Sequence, residues 1–126
     1  MTPLSKKLRL KPGMKTKIMD PPAGYTDALG QEPEVGESNL DVVQLFAKDS
    51  AELAALWPAA HKAVNYDGLI WIAYPKKSSG IASDLGRDEG WAPIFDFGLR
   101  VVSICAVDEV WSAVRFRPVE KVRSKV

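Results

Sequence analysis

The stretch Lys76-Lys77-Ser78-Ser79-Gly80, with Arg87 a few residues on, holds the side chains best suited to chemistry in this chain. Two ammonium groups, a guanidinium, two hydroxyls and a glycine backbone suit a phosphate or carboxylate, because cations and N–H groups together neutralise and orient an oxyanion. The spacing is not that of a P-loop, since Gly-x4-Gly-Lys-Ser/Thr is absent. The structural alternative is a plain solvated connection. A second group, Tyr74, Asp84, Asp108, Trp111 and Arg115, marks a candidate groove or partner surface. Asp84 and Asp88 flank Arg87, where acids pair with the cation or cap the next helix. Trp111 opens a segment beside Asp108, Glu109 and Ser112. Alternation puts it on one face with Ala113, Arg115 and Arg117, so Arg115 is placed to stack on it.

Other reactive types do not converge. His61 is the sole histidine and Cys105 the sole cysteine, so neither a zinc site nor a Ser-His-Asp or Cys-His arrangement can be assembled. No catalytic residue and no metal ligand is assigned. His61 flanks a helical apolar stripe and reads as a boundary residue; Cys105 lies in an apolar run and reads as a small buried hydrophobe. Asp20, Asp27, Glu32, Glu34, Glu37 and Asp41 are neighbours in sequence, which by itself makes no acid–base pair. Trp71 and Trp91 read as core.

Composition narrows the partners. With 17 basic and 16 acidic residues the net charge is +1, which gives no electrostatic reason to expect nucleic acid or an anionic membrane. No apolar run reaches the ~18 residues of a membrane span, and the Lys-rich N-terminus has no apolar signal segment after it. A cytoplasmic, reducing location is the expectation, consistent with a single cysteine that cannot form an intramolecular disulfide. A length of 126 residues favours one domain.

The elements that must position the candidate residues follow from periodicity. Gly68–Pro75 is an apolar, β-branched and aromatic run bounded by Asp67-Gly68 and Pro75, the pattern of a strand buried on both faces. Thr16–Met19 is a short first strand, broken by Asp20-Pro21-Pro22, and Leu40–Ala47 is a second. Asp49-Ser50-Ala51-Glu52 has a capping-box pattern, and Leu53, Leu56, Trp57, Ala60 and Val64 form a helical stripe. Pro58 predicts a kink or a split in that helix. Ser5 would cap Lys6–Leu10, Lys11-Pro12-Gly13 is a turn, Tyr25–Leu29 is a helical turn closed by Gly30, and Gln31–Ser38 is loop. A helix is expected over Asp88–Phe97, closed by Gly98. Leu99–Val107 and Val110–Arg117 form a hairpin across Asp108-Glu109, and Val119–Val126 is a loosely ordered basic tail carrying Lys121, Arg123 and Lys125. The fold class is therefore α/β: a three-layer, Rossmann-like domain over 1–126 with a mostly parallel sheet of about five strands and a C-terminal antiparallel hairpin. In such sheets ligands lie outside the carboxyl ends of the strands, where the loop after Pro75 emerges.

Residues 11–19, Leu40–Phe46, Asp67–Ile72 and the closing hairpin resemble, in order, the first, fourth and fifth strands and the terminal hairpin of class I S-adenosylmethionine methyltransferases. The chain is also similar to a family of small bacterial proteins of unknown function, through Tyr74-Pro75-Lys76 and Asp108-Glu109-Val110-Trp111-Ser112. The first resemblance implies a truncated methyltransferase-like fold; the second implies no reaction. Where the methyltransferase pattern has a glycine-rich turn, this chain has Asp20-Pro21-Pro22-Ala23-Gly24, and residues 25–40 are too few for two further strand–helix units. S-adenosylmethionine is accordingly not expected, nor is any other cofactor. The shortened sheet leaves the first strand as an edge, to be covered by the Gln31–Asn39 loop or paired in a homodimer.

The functional expectation is a non-catalytic module that binds a small anion or a protein partner. The alternative is an enzyme, either an atypical S-adenosylmethionine-dependent methyltransferase or another activity using loop 76–88. RNA association through Lys76, Lys77 and the basic tail is a weaker third reading, opposed by the near-zero net charge.

Overall fold

The computed structural model describes residues 8, 14–21, 34–35, 38–81, 83–86 and 90–123. The elements are β1 (Lys15–Met19), β2 (Glu34–Val35), β3 (Leu40–Phe46), α1 (Ser50–Ala63), β4 (Val64–Pro75), a 3-10 turn (Lys77–Ser79), α2 (Ala92–Phe95), β5 (Leu99–Ala106), β6 (Trp111–Pro118) and α3 (Val119–Arg123). The strands form one sheet in the order β2-β1-β3-β4-β6-β5. β2, β1, β3 and β4 pair in parallel, and β6 runs antiparallel to both β4 and β5. This is the expected mixed sheet with a closing hairpin, an α/β fold.

β4 divides the core. Ile70, Ile72 and Tyr74 face α1 and α2, packing with Val43, Leu45, Leu53, Trp57, Trp91, Ile94, Val114 and Phe116. Leu69, Trp71 and Ala73 face the other way, with Val42, Phe46, Ala113 and Leu8. A strand takes this uniformly apolar composition only where both faces are covered. Each large side chain so buried stabilises the fold by about 1.5–3 kcal/mol. The indole N–H of Trp71 donates to the Leu8 carbonyl at 2.9 Å, so the tryptophan satisfies its polar atom while holding Leu8 to the sheet.

α1 forms as its signals predict. The Asp49 side chain accepts from the Glu52 amide at 3.0 Å, and the Glu52 carboxylate accepts from the Lys48 amide at 2.8 Å. Leu53, Trp57 and Ala60 are the buried stripe. Pro58 lies inside a continuous helix, which therefore does not split. β4 starts earlier than predicted, at Val64: the backbone turns extended there instead of looping through Asn65-Tyr66-Asp67. Register against β3 jumps from Leu40↔Val64 to Val42↔Leu69. Within that irregularity Asp67 adopts φ +58°, and Arg117 grips its carboxylate with two bonds of 3.0 and 2.8 Å.

Three further differences concern the ends of the chain and the predicted second helix. β1 is not left as the sheet edge: residues 34–35, from the stretch expected to shield it, pair in parallel with Lys15 and Thr16. The helix expected over Asp88–Phe97 is confined to Ala92–Phe95, starting at the proline-bearing turn. Val119–Arg123, expected within a loose tail, form α3, which the Val119 amide joins to the Gly98 carbonyl at 2.8 Å. The Ser5 cap, the 11–13 turn, the 25–29 helical turn with Gly30, Arg87, Asp88 and residues 124–126 lie outside the described residues.

Gly68 gives a check on how tightly β4 enters the sheet. A Cβ there would stand 2.8 Å from Val64 Cγ2, 3.0 Å from the Asn65 carbonyl oxygen and 3.1 Å from that of Asp41. Two of these neighbours are backbone and cannot swing aside. Gly68→Ala is expected to lower stability by about 1–3 kcal/mol in urea unfolding. An unchanged midpoint would mean that the strand entry is not close-packed.

Candidate functional site

Because β1, β3 and β4 are parallel, their carboxyl ends open on one side of the sheet. That side collects Asp20, the start of α1, the loop after Pro75, and the β5–β6 turn. The loop is tied down by its own backbone. The Lys76 amide donates to the Val110 carbonyl at 2.7 Å, and the Ser79 amide to the Lys76 carbonyl at 3.0 Å. Ser79 Oγ donates to that same carbonyl at 2.6 Å and accepts from the Ile81 amide at 3.2 Å. Gly80 follows at φ +84°, a left-handed conformation that a glycine adopts without a Cβ penalty. Lys77, Ser78 and Gly80 are exposed and Lys76 is half-buried. Ser79 thus shapes the turn, while Lys76, Lys77 and Ser78 are its outward chemistry.

The second group of candidates is only partly assembled here. Asp108 and Trp111 stand next to the loop, since Trp111 pairs with Pro75 across the sheet. Asp108 Oδ1 accepts from the Val110 and Trp111 amides at 2.8 and 2.7 Å and closes the hairpin turn. Trp111 is half-buried and meets Phe46 edge-on, with ring centroids 5.2 Å apart. Tyr74 is 6% exposed and packs on Trp91 in the core, so its ring lines no groove. Arg115 lies four residues further along β6, opposite Trp71, roughly 13 Å down the strand at ~3.3 Å per residue. It acts electrostatically on Asp67, at the other end of the sheet.

Asp84 serves the start of α1. The Ser50 amide donates to its Oδ1 at 2.8 Å and the Ser50 hydroxyl donates to its Oδ2. These bonds, the side-chain one first, hold the Asp84 carboxyl below its ordinary value. With Asp49 bound to the Glu52 amide, the first turn of α1 is capped by two carboxylates of the chain itself. An anion brought there would meet negative charge and engaged donors. A shallow groove lined by Asp49, Ser50, Ala51, Ser83 and Asp84 runs over this turn.

At the opposite end of the sheet a hollow of about 160 Å³ opens between α1, β4 and the hairpin, with His61, Ile70, Phe97 and Leu99 in its walls. The His61 ring meets that of Phe97 at 4.5 Å, as befits a boundary histidine. The Tyr66 hydroxyl donates to Glu120 at its rim, which raises the phenol above its ordinary value and lowers the carboxyl. Arg117 likewise lowers Asp67. Tyr66 and Glu120 carried no sequence signal of a site, because Asn65-Tyr66-Asp67 has the composition of a helix-ending turn. Among the described residues no three His, Cys, Asp or Glu side chains converge as a metal site, and no helix is long and apolar enough to cross a membrane.

No family model and no curated protein matches the chain. Solved structures do. The chain is similar to LepI in complex with SAM, at a TM-score of 0.51 and 13% identity over 91% of this chain and 39% of that one. It is also similar to Haemonchus contortus phosphoethanolamine N-methyltransferase 2 in complex with S-adenosyl-L-methionine, at a TM-score of 0.50 and 14% identity over 84% of this chain and 34% of that one. At such identities the likeness establishes the methyltransferase-like α/β fold alone. The chain spans less than two-fifths of the length of these proteins.

The Asp84 cap carries a pH signature. Its carboxyl is depressed from 3.8, so the stabilisation is present in full above that value and is lost as the pH falls through the lower folded value. Asp84→Ala is expected to lower the melting temperature at neutral pH, with the gap to wild type closing as the pH drops below 3.8. A gap independent of pH would place the effect elsewhere than in the bonds to Ser50.

Proposed function

We propose that this domain is a binding module rather than a group-transfer enzyme, and that the loop after β4 takes a small oxyanion such as phosphate. One observation supports this reading above the others. Lys76 and Lys77 sit on a turn whose backbone is fixed by the bond to Val110, by the Ser79 hydroxyl and by Gly80, at the carboxyl end of the central strand. A fixed turn presents two ammonium groups without first having to be ordered, which lowers the entropic cost of binding. The capped start of α1 adds direction: the carboxylates of Asp49 and Asp84 repel an anion from that side and leave the lysine turn as the favourable one. Tyr74 and Arg115 have no part in this reading, whereas Asp108 and Trp111 hold the hairpin turn against which the loop rests.

A second reading draws on β2. Its parallel pairing extends the sheet beyond β1, on the side where the sequence expects the sheet to stop. In that reading the domain is an atypical S-adenosylmethionine-dependent enzyme, or another enzyme using loop 76–88, since two solved structures of similar fold carry that molecule.

A thermal-shift titration separates the two. Phosphate, sulfate, nucleotides, S-adenosylmethionine and S-adenosylhomocysteine are compared on wild type and on the Lys76→Ala/Lys77→Ala variant. A ligand at ~100 times its dissociation constant adds ~2.7 kcal/mol to the folded state. The expected outcome is a rise in melting temperature with phosphate or phosphate-bearing ligands that the double variant loses. A rise with S-adenosylmethionine that the variant keeps would replace the binding module by the enzyme.

A further inference from the structure

We propose that the outer edge of β5 is a self-association surface, on which a second copy of this chain adds antiparallel to form a continuous sheet of twelve strands, six from each copy, across a two-fold axis at Cys105. The proposal is independent of the anion reading and concerns the rim of the sheet opposite to β2. Among the described residues β5 is the last strand in the sheet order. From Val101 through the residue after its end, Val107, it reads Val-Val-Ser-Ile-Cys-Ala-Val, with no charge and no proline, two of the devices that ordinarily keep an edge from pairing. Val101, Ser103, Ile104 and Ala106 are exposed. Val101 and Ile104 stand opposite Phe116 and Val114 of β6 and therefore lie on the face that α1 and α2 cover. There they continue into the exposed rings of Phe95 and Phe97, these four side chains being 37–46% accessible.

The backbone selects the register. The Val107 amide donates to the Trp111 carbonyl at 2.9 Å and the Ser112 hydroxyl to the Cys105 carbonyl at 3.2 Å. Val107 and Cys105 thus turn their backbone groups toward β6. Alternation in an antiparallel ladder then turns those of Ile104 and Ala106 outward. A register shift between Val101 and Ser103 bends the strand and limits regular pairing to residues 103–107. Within that span the arrangement with the most bonds sets Ile104 opposite the second copy's Ala106, and Ala106 opposite the second copy's Ile104. Each pair exchanges two N–H···O bonds. The axis then passes between the two Cys105 residues, a non-hydrogen-bonded pair with Cα atoms about 4.5 Å apart, within the range a disulfide spans.

Charge favours a second copy in this direction. Arg100 is exposed at the start of the strand, and Asp108 and Glu109 are exposed just beyond its end. Antiparallel pairing brings the cationic end of each strand to the acidic end of the other; parallel pairing would place like charges together. Because the same strand supplies both halves, the surface is self-complementary, as a two-fold interface requires.

Sedimentation velocity over ~1–500 µM tests the proposal on wild type, Ala106→Pro and Ile104→Lys, each checked for an unchanged circular-dichroism spectrum. Proline at 106 removes an outward N–H and no bond of the β5–β6 ladder, so the fold tolerates it. A concentration-dependent dimer is expected for wild type, with a dissociation constant at least ten-fold higher in both variants. Diamide, which takes up the two electrons and two protons released as two thiols become a disulfide, is expected to cross-link wild type through Cys105. Cys105→Ser should stay a dimer without cross-linking. A monomer at every concentration, or a dimer indifferent to both substitutions, overturns the proposal. A dimer that diamide leaves unlinked overturns the register centred on Cys105.

Discussion

Burial of β4 on both faces is the constraint from which the remaining structure follows. Ile70, Ile72 and Tyr74 need one cover; Leu69, Trp71 and Ala73 need another. α1 and α2 supply the first, and Leu8 packs on the second with Val42, Phe46 and Ala113. The strand also needs two laterally paired neighbours, because an unpaired backbone in so apolar a position would leave its N–H and C=O groups without partners. β3 on one side and β6 on the other meet that need, one parallel and one antiparallel. The mixed character of the sheet is thus settled at its centre.

From that centre the ends of β4 acquire opposite characters. At its carboxyl end Pro75 stops the ladder and the chain turns at once into the lysine loop, held by the Val110 carbonyl. At its amino end a register jump and the left-handed Asp67 create a step, which Arg117 clamps and α3 flanks. Partly exposed ion pairs of this kind contribute about 1 kcal/mol or less. The clamp therefore orients the step more than it stabilises the domain. One end carries cations on a fixed turn beside carboxylates engaged in capping; the other carries an apolar hollow with paired charges at its rim. The proposed oxyanion site lies at the first.

The two rims of the sheet also differ. Beyond β1 the chain folds back two residues of its own, Glu34 and Val35, and covers the start of the strand. Beyond β5 no strand follows among the described residues, and the bulge at Val101 and Ser103 is the sole irregularity along that rim. An edge strand that is apolar and, among the described residues, unpaired on its outer side is the rim on which the proposed second copy would add.

Much of this was legible from local patterns. The helical stripe of α1, its Asp49 cap, the doubly apolar central strand and the hairpin closed by Asp108 all depend on neighbours within a few residues, where periodicity and turn chemistry act. The location of the Lys76–Gly80 loop followed once the strand before it was recognised. What tertiary structure alone decided involves partners far apart in sequence. Asp84 reaches back across 34 positions to Ser50 and caps the helix that precedes it in the chain, whereas the sequence pointed to an ion pair or to a cap on the helix that follows. Tyr74 is drawn into the core by Trp91, and Arg115 is carried by strand alternation and length to the Asp67 end, away from the loop. Two residues from a stretch without periodicity became β2 because β1 offered them a ladder, which is a property of the assembled sheet and of no local sequence.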